Sequence, residues 1–292
     1  MFTGSCVALV TPFKNGKVDY ETLKKLVEFH LKNGTSALVP CGTTGESATL
    51  TYEEHEEVIR FVVQAVRKKI PVIAGAGSNS TQETIDLSLA AKKDGADAVL
   101  LVVPYYNKPT QKGLYEHFHK VAEMVDIPII LYNIPGRTGV NMLPETVAKL
   151  ARDCKNIIGI KEAAGSLDQV SELIEVCPKD FTLLSGDDSL TLPKLSVGGK
   201  GVISVIANIV PQDMAEMCNA WFKGDIKRAR ELHHKMFPLV KALFIETNPI
   251  PIKTAMGLLG FCSSELRLPL VPMEEKNFEK LKKAMRDYGL SV

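Results

Sequence analysis

The sequence predicts an α/β fold, a (β/α)8 TIM barrel followed by a small all-helical region. Three observations predict it. Eight short, nearly continuous apolar runs are present, as parallel strands covered on both faces require. Helical patterns separate them at intervals of about 25–35 residues, the spacing of βα units. The last part of the chain shows helical patterns alone. Its 292 residues, 45% of them hydrophobic, are ample for one large core.

The runs, in order, are CVALVTP (6–12), SALVPC (36–41), PVIAG (71–75), DAVLLVV (97–103), PIILYN (128–133), NIIGIKE (156–162), FTLLSG (181–186) and GVISVIA (201–207). Between them, Thr51 with Glu54, Ser80 with Glu83 and Ser166 with Gln169 have the spacing of capping boxes at helix starts. A helix from Glu53 to about Lys69 places Val58, Val62 and Val66 on one stripe. From about Asp225 the helical stretches are 225–243, 249–259 and 273–288, punctuated by Pro249, Pro251, Pro269 and Pro272. The expected division is a catalytic barrel over residues 1–224 and a C-terminal helical domain over 225–292.

Charge and cysteine usage narrow the function class. The 35 basic and 34 acidic residues leave a net charge of +1, with no basic stripe for nucleic acid or a membrane surface. MFTGSCVALVTPF lacks the pattern of a signal peptide, and no transmembrane run is apparent. Cys6, Cys41, Cys154, Cys177, Cys218 and Cys262 include no C-x-x-C pair, which fits a reduced cytoplasmic protein.

Barrel enzymes carry their chemistry after the C-terminal ends of the strands. Lys161 closes the sixth run, Ile157-Ile158-Gly159-Ile160-Lys161. A buried lysine favours its neutral amine, which can attack a ketone and form a Schiff base. The alternative is a structural lysine paired with Glu162. Gly42-Thr43-Thr44-Gly45-Glu46-Ser47 can expose N–H groups and hydroxyls to a carboxylate, or be an ordinary tight turn. Tyr132 ends the fifth run one strand away from Lys161, where a phenol can relay protons. Arg137, in Ile134-Pro135-Gly136-Arg137-Thr138-Gly139, can grip a carboxylate with its planar fork, or be a surface arginine. Tyr105, in Pro104-Tyr105-Tyr106-Asn107, fits packing at the rim or a subunit contact.

Other signals carry less. Gly75-Ala76-Gly77-Ser78-Asn79-Ser80 lacks the third glycine of a dinucleotide loop and reads as a turn. His117, His119, His233 and His234 lack metal-ligand spacing. Asp187-Asp188 reads as a helix N-cap rather than a cation site. Ala207-Asn208-Ile209-Val210 is not glycine-rich, which disfavours a sugar-phosphate substrate.

GTTGES, PYYN, YNIPGRTG and GIKE, in that order, with SGDD, GVISV, ETNPIP and LRLPL after them, resemble the dihydrodipicolinate synthase branch of the pyruvate-dependent class I aldolases. The resemblance covers essentially the whole chain. It implies a lyase that condenses pyruvate with aspartate semialdehyde, needs no metal or organic cofactor, and serves diaminopimelate and lysine biosynthesis. It assigns the imine to Lys161 and a proton relay to Tyr132, Thr43 and Tyr106, with Tyr106 reaching into the neighbouring subunit's site. Thr44 and the backbone near Ile203 would hold the pyruvate carboxylate, Gly186 would line the pocket, and Arg137 would hold the aldehyde's carboxylate. Where lysine inhibits such enzymes, its pocket maps to Ser47, Ala48, Tyr52, His55, Asn79, Glu83 and Tyr105; Tyr52 stands where some lysine-sensitive members carry histidine. A homotetramer built from tight dimers is implied. The sister N-acetylneuraminate lyases and 2-keto-3-deoxy sugar-acid aldolases share the lysine and tyrosine, but Arg137 and Tyr106 favour a short carboxylate-bearing aldehyde. A non-catalytic metabolite-sensing barrel would leave Lys161 inert.

Overall fold

Eight parallel strands form one sheet in the computed structural model, which describes residues 2–292: β1 (Gly4–Ala8), β2 (Ala37–Val39), β3 (Ile73–Gly75), β4 (Ala98–Val102), β5 (Ile129–Asn133), β6 (Ile157–Glu162), β7 (Thr182–Ser185) and β8 (Gly201–Ser204). The order β2-β1-β8-β7-β6-β5-β4-β3 is that of a barrel. It closes between β2 and β3 through a bridge from Leu38 to Val72 and the bond from the Gly75 N–H to the Pro40 carbonyl. Seven of the eight apolar runs contain their strand whole, each longer than the strand; β1 begins at Gly4, two residues before its run, and overlaps it over residues 6–8. A two-residue hairpin, Phe13–Lys14 against Lys17–Val18, was not foreseen.

Alternation sorts the side chains into two layers. Cys6, Ala8, Val39, Ile73, Leu100, Ile130, Tyr132, Leu184 and Ile203 pack inside the barrel. Val7, Leu38, Val99, Leu101, Leu131 and Ile160 face outward onto helices. These helices are α1 (Tyr20–Lys32), α2 (Tyr52–Val66), α3 (Thr81–Lys93), α4 (Gln111–Met124), α5 (Pro144–Asp153), α6 (Leu167–Val176), α7 (Thr191–Ser196) and α8 (Pro211–Phe222). Val58, Val62 and Val66 lie on the buried stripe of α2 as expected. After α8 come α9 (Ile226–Leu243), α10 (Ile250–Leu258) and α11 (Glu275–Tyr288).

Of the three expected capping boxes, one forms in full. Thr51 accepts from the Glu54 N–H, and Glu54 accepts from the Thr51 N–H. Ser80 and Ser166 do cap α3 and α6. Their intended partners are drawn elsewhere: Glu83 accepts from the Ser78 hydroxyl (2.6 Å), and Gln169 donates to Glu162 and Asn141. Gly75 has a packing reason rather than a nucleotide one, because a Cβ there would lie 2.2 Å from the Cys41 carbonyl oxygen. Among the described residues, no helix is long and apolar enough to cross a membrane, and no cluster of His, Cys, Asp or Glu is arranged to hold a metal.

Candidate active site

The orientation of Lys161 depends on an irregularity in β6. Ile129 of β5 pairs with Ile157, but Ile130 pairs with Gly159, so Ile158 is an extra residue in the ladder. Ile157 packs in the outer layer. Strict alternation would send Lys161, four residues on, to that same outer face. The bulge resets the phase. Ile160 then faces the helices, and Lys161 enters the barrel mouth, opposite Tyr132 in register.

There Lys161 is 6% exposed, with its Nζ 4.2 Å from the centre of the Tyr132 ring. Among the described residues no carboxylate lies within ion-pair distance of this nitrogen. Burial lowers its pKa to about 8, opposed by the fields of Asp188 and Asp187 and assisted by those of Arg137 and Lys194. The alternative pairing with Glu162 does not occur. Glu162 points out of the barrel and accepts from Asn133 Nδ2 (3.0 Å), Gln169 Nε2 (3.2 Å) and the Ala164 N–H (2.6 Å). Burial raises its pKa against those donors.

The acidic pair after β7 behaves differently from a helix cap. Asp187 pairs with the buried Lys194 (2.7 Å), which also donates to the Glu162 carbonyl (2.7 Å). Asp188 Oδ2 accepts the N–H groups of Val205 and Ile206 (3.0 and 2.9 Å), so it ties the end of β7 to the loop after β8. Burial raises the pKa of Asp188. Gly186 precedes this pair, and a Cβ there would lie 2.6 Å from Ala163 Cβ and 3.3 Å from Lys161 Cε. It is the Ala163 side chain that leaves no room for a Cβ here, and the lysine stem packs close beside it.

A cavity of about 560 Å³ opens above Lys161. Tyr132, Thr43, Arg137 and Asn248 border it. Burial raises the Tyr132 phenol's pKa, and the neighbouring Thr43 side chain works against that shift. Arg137 sits on a short helical turn, Pro135–Thr138, and its Nη2 donates to the Asn248 carbonyl (2.8 Å). Thr44 is buried behind the wall, and its hydroxyl accepts from Asn248 Nδ2 (3.0 Å). Ile203 is buried inside the barrel beneath the mouth. Tyr106 is not in the cavity: it is 90% exposed, with φ of +70°.

The same cavity continues past Ser47 and Ala48 to Tyr52, His55, Glu83 and Tyr105. The Glu83 carboxylate raises the pKa of the Tyr52 phenol. Asn79 stands outside the lining and donates to the Tyr105 carbonyl (3.2 Å). Sequence reading missed Asn248, Lys194 and the buried pair of Lys253 with Glu46 (2.7 Å). Lys253 carries the signal that marked Lys161, a lysine inside an apolar run, Ile250-Pro251-Ile252-Lys253.

The Dihydrodipicolinate synthetase family model matches residues 1–288. A 4-hydroxy-tetrahydrodipicolinate synthase from Thermodesulfovibrio yellowstonii is 59% identical over 290 residues, covering 99% of both chains. The crystal structure of dihydrodipicolinate synthase from Aquifex aeolicus superposes with a TM-score of 0.98 at 54% identity, covering 100% of this chain and 99% of that one. The enzyme from Cyanidioschyzon merolae, solved with lysine bound, gives 0.97 at 45% identity, with 99% of each chain covered. An unpaired lysine in a barrel mouth, a facing phenol and full-length likeness at this level make one conclusion: the chain belongs to the dihydrodipicolinate synthetase family.

Proposed function

We infer that this protein condenses pyruvate with L-aspartate 4-semialdehyde to give 4-hydroxy-tetrahydrodipicolinate, the first committed step of diaminopimelate and lysine biosynthesis. The single observation that carries the chemistry is the buried, unpaired Lys161 amine at the floor of the cavity. Neutral Lys161 attacks the ketone of pyruvate. The carbinolamine loses water to an iminium, which accepts the electron pair left when a methyl proton departs. The resulting enamine carbon adds to the aldehyde. The amine of the adduct then displaces Lys161 and closes the ring.

In this reading Tyr132 moves protons to and from the adduct, and Thr43 beside it at the cavity wall supports a relay. Tyr106 of a neighbouring subunit completes it. Thr44 and the backbone at Ile203 hold the pyruvate carboxylate beside Gly186, and Arg137 holds the carboxylate of the aldehyde. Lysine is assigned to the outer part of the cavity, lined by Ser47, Ala48, Tyr52, His55, Glu83 and Tyr105 with Asn79 just beyond; that one relative is solved with lysine bound supports an inhibitor of this kind. The working assembly is a homotetramer of tight dimers.

Borohydride added with pyruvate should leave one reduced three-carbon adduct per chain, on Lys161, and none on Lys161→Ala. Labelling at another lysine, or no label, overturns the assignment. Consumption of aspartate semialdehyde by the pyruvate-loaded enzyme then tests the second half-reaction.

A further inference from the structure

Asn248 touches both residues to which carboxylate binding is assigned. It lies in the Thr247-Asn248-Pro249 turn that leads into α10 and is 5% exposed. Its Nδ2 donates to Thr44 Oγ1 (3.0 Å), 204 residues away in the chain. Its backbone carbonyl accepts from Arg137 Nη2 (2.8 Å), 111 residues away. A hydroxyl has one proton and two lone pairs. With a lone pair taken by the carboxamide, the Thr44 proton is left to be donated, and a carboxylate is the natural acceptor. Arg137 likewise spends one N–H on the Asn248 carbonyl and keeps the rest of its fork. Stability alone does not account for this side chain, because its Oδ1 is buried without a partner. An apolar residue would remove that cost.

We propose that Asn248 is a positioning residue for the reaction: it fixes the Thr44 hydroxyl as a donor and holds Thr44 and Arg137, the grips for the two substrate carboxylates, at one set separation. The proposal deepens the function given above and rests on the roles given there to Thr44 and Arg137. The two contacts separate in a test, because a side-chain change removes only the one to Thr44. The backbone carbonyl remains for Arg137.

The experiment compares Thr44→Val, Asn248→Leu and the double variant with the unaltered enzyme. The readouts are the pyruvate concentration giving half-maximal borohydride inactivation and the KM for aspartate semialdehyde. Asn248→Leu should raise the first about tenfold, the scale of one charge-assisted hydrogen bond, and leave the second within about twofold. The double variant should bind pyruvate no worse than Thr44→Val, because residues acting through one contact are non-additive. Multiplying penalties, or an equal loss for both substrates, would show a merely structural Asn248 and overturn the proposal. An unaffected Thr44→Val would instead remove the role of Thr44, and the proposal with it. Should Asn248→Leu not fold, Asn248→Asp keeps the shape but accepts where Asn donates. It should draw the Thr44 proton to itself and weaken pyruvate capture; unchanged capture overturns the idea.

Discussion

At the scale of single residues, the proposed reaction turns on the protonation of one amine. Burial brings Lys161 to about pH 8. At pH 7 roughly one amine in ten is then neutral, against about one in a few thousand for a free lysine. Raising the pH removes the proton, so the rate of pyruvate imine formation should climb through about pH 8 and level off above it. The rate of pyruvate-dependent borohydride inactivation measures this; a flat profile, or a midpoint near that of free lysine, would contradict it. Asp188 opposes the shift by stabilising the charged form, so Asp188→Asn should move the midpoint to lower pH. Tyr132→Phe should cost turnover about 10²-fold or more, the usual scale of acid–base assistance. Lys161 was legible in the sequence because a charge inside an apolar run contradicts its surroundings. Asn248 was not, because an asparagine before a proline is ordinary turn chemistry until its two distant partners are known.

At the scale of elements, the strands were legible as hydrophobic runs, and the caps only in part. Thr51 and Glu54 satisfy one another locally. Glu83 and Gln169 share that spacing but have tertiary partners that outcompete the cap. The same competition hid the tie between α10 and the loop after β2. Lys253 and Glu46 are 0% and 1% exposed at the side chain and lie 2.7 Å apart. Glu46 also accepts the Arg267 N–H, and the Arg267 guanidinium grips Glu54 through two nitrogens. Lys253 and Arg267 both stack on the buried Phe13 ring, at 4.1 and 4.4 Å. Removing one member of a buried pair strands the other charge, so Lys253→Met should lose about 3–5 kcal/mol of stability. Replacing both, as Lys253→Met with Glu46→Leu, should restore most of it, because an apolar pair has no desolvation cost. Turnover should stay low in the double variant, since Glu46 follows Thr43 and Thr44 on the same loop and holds φ at +54°. Urea unfolding beside a turnover assay checks both parts; a fully active, fully stable double variant would leave the pair no positioning role.

At the scale of the whole molecule, Tyr106 raises the question of where one site ends and another begins. Its loop is well anchored. Asn107 donates to the Asn79 carbonyl (2.9 Å), Asn79 donates to the Tyr105 carbonyl (3.2 Å), and the Asn107 N–H closes on that same carbonyl (2.8 Å). The clamp presents a tyrosine in left-handed backbone, 90% exposed and outside its own cavity. A strained residue held by its surroundings is a reason to look for a function. Exposure of this kind could not be read from PYYN, because periodicity reports burial within a chain and is silent on contacts between chains. If Tyr106 serves a partner's site, two defective chains should complement one another. Lys161→Ala carries a good Tyr106 and no amine, whereas Tyr106→Phe carries a good amine and no phenol. In a mixed two-fold dimer, the Tyr106→Phe protomer receives its phenol from the Lys161→Ala protomer, giving one complete site. One complete site of two means that the purified mixed dimer should recover about half the activity of the unaltered enzyme. Coexpression with two tags, purification of the mixed species and a turnover assay decide it. Activity equal to the mean of the two parent variants would place Tyr106 outside its neighbour's chemistry, and the relay would then have to be completed within one chain.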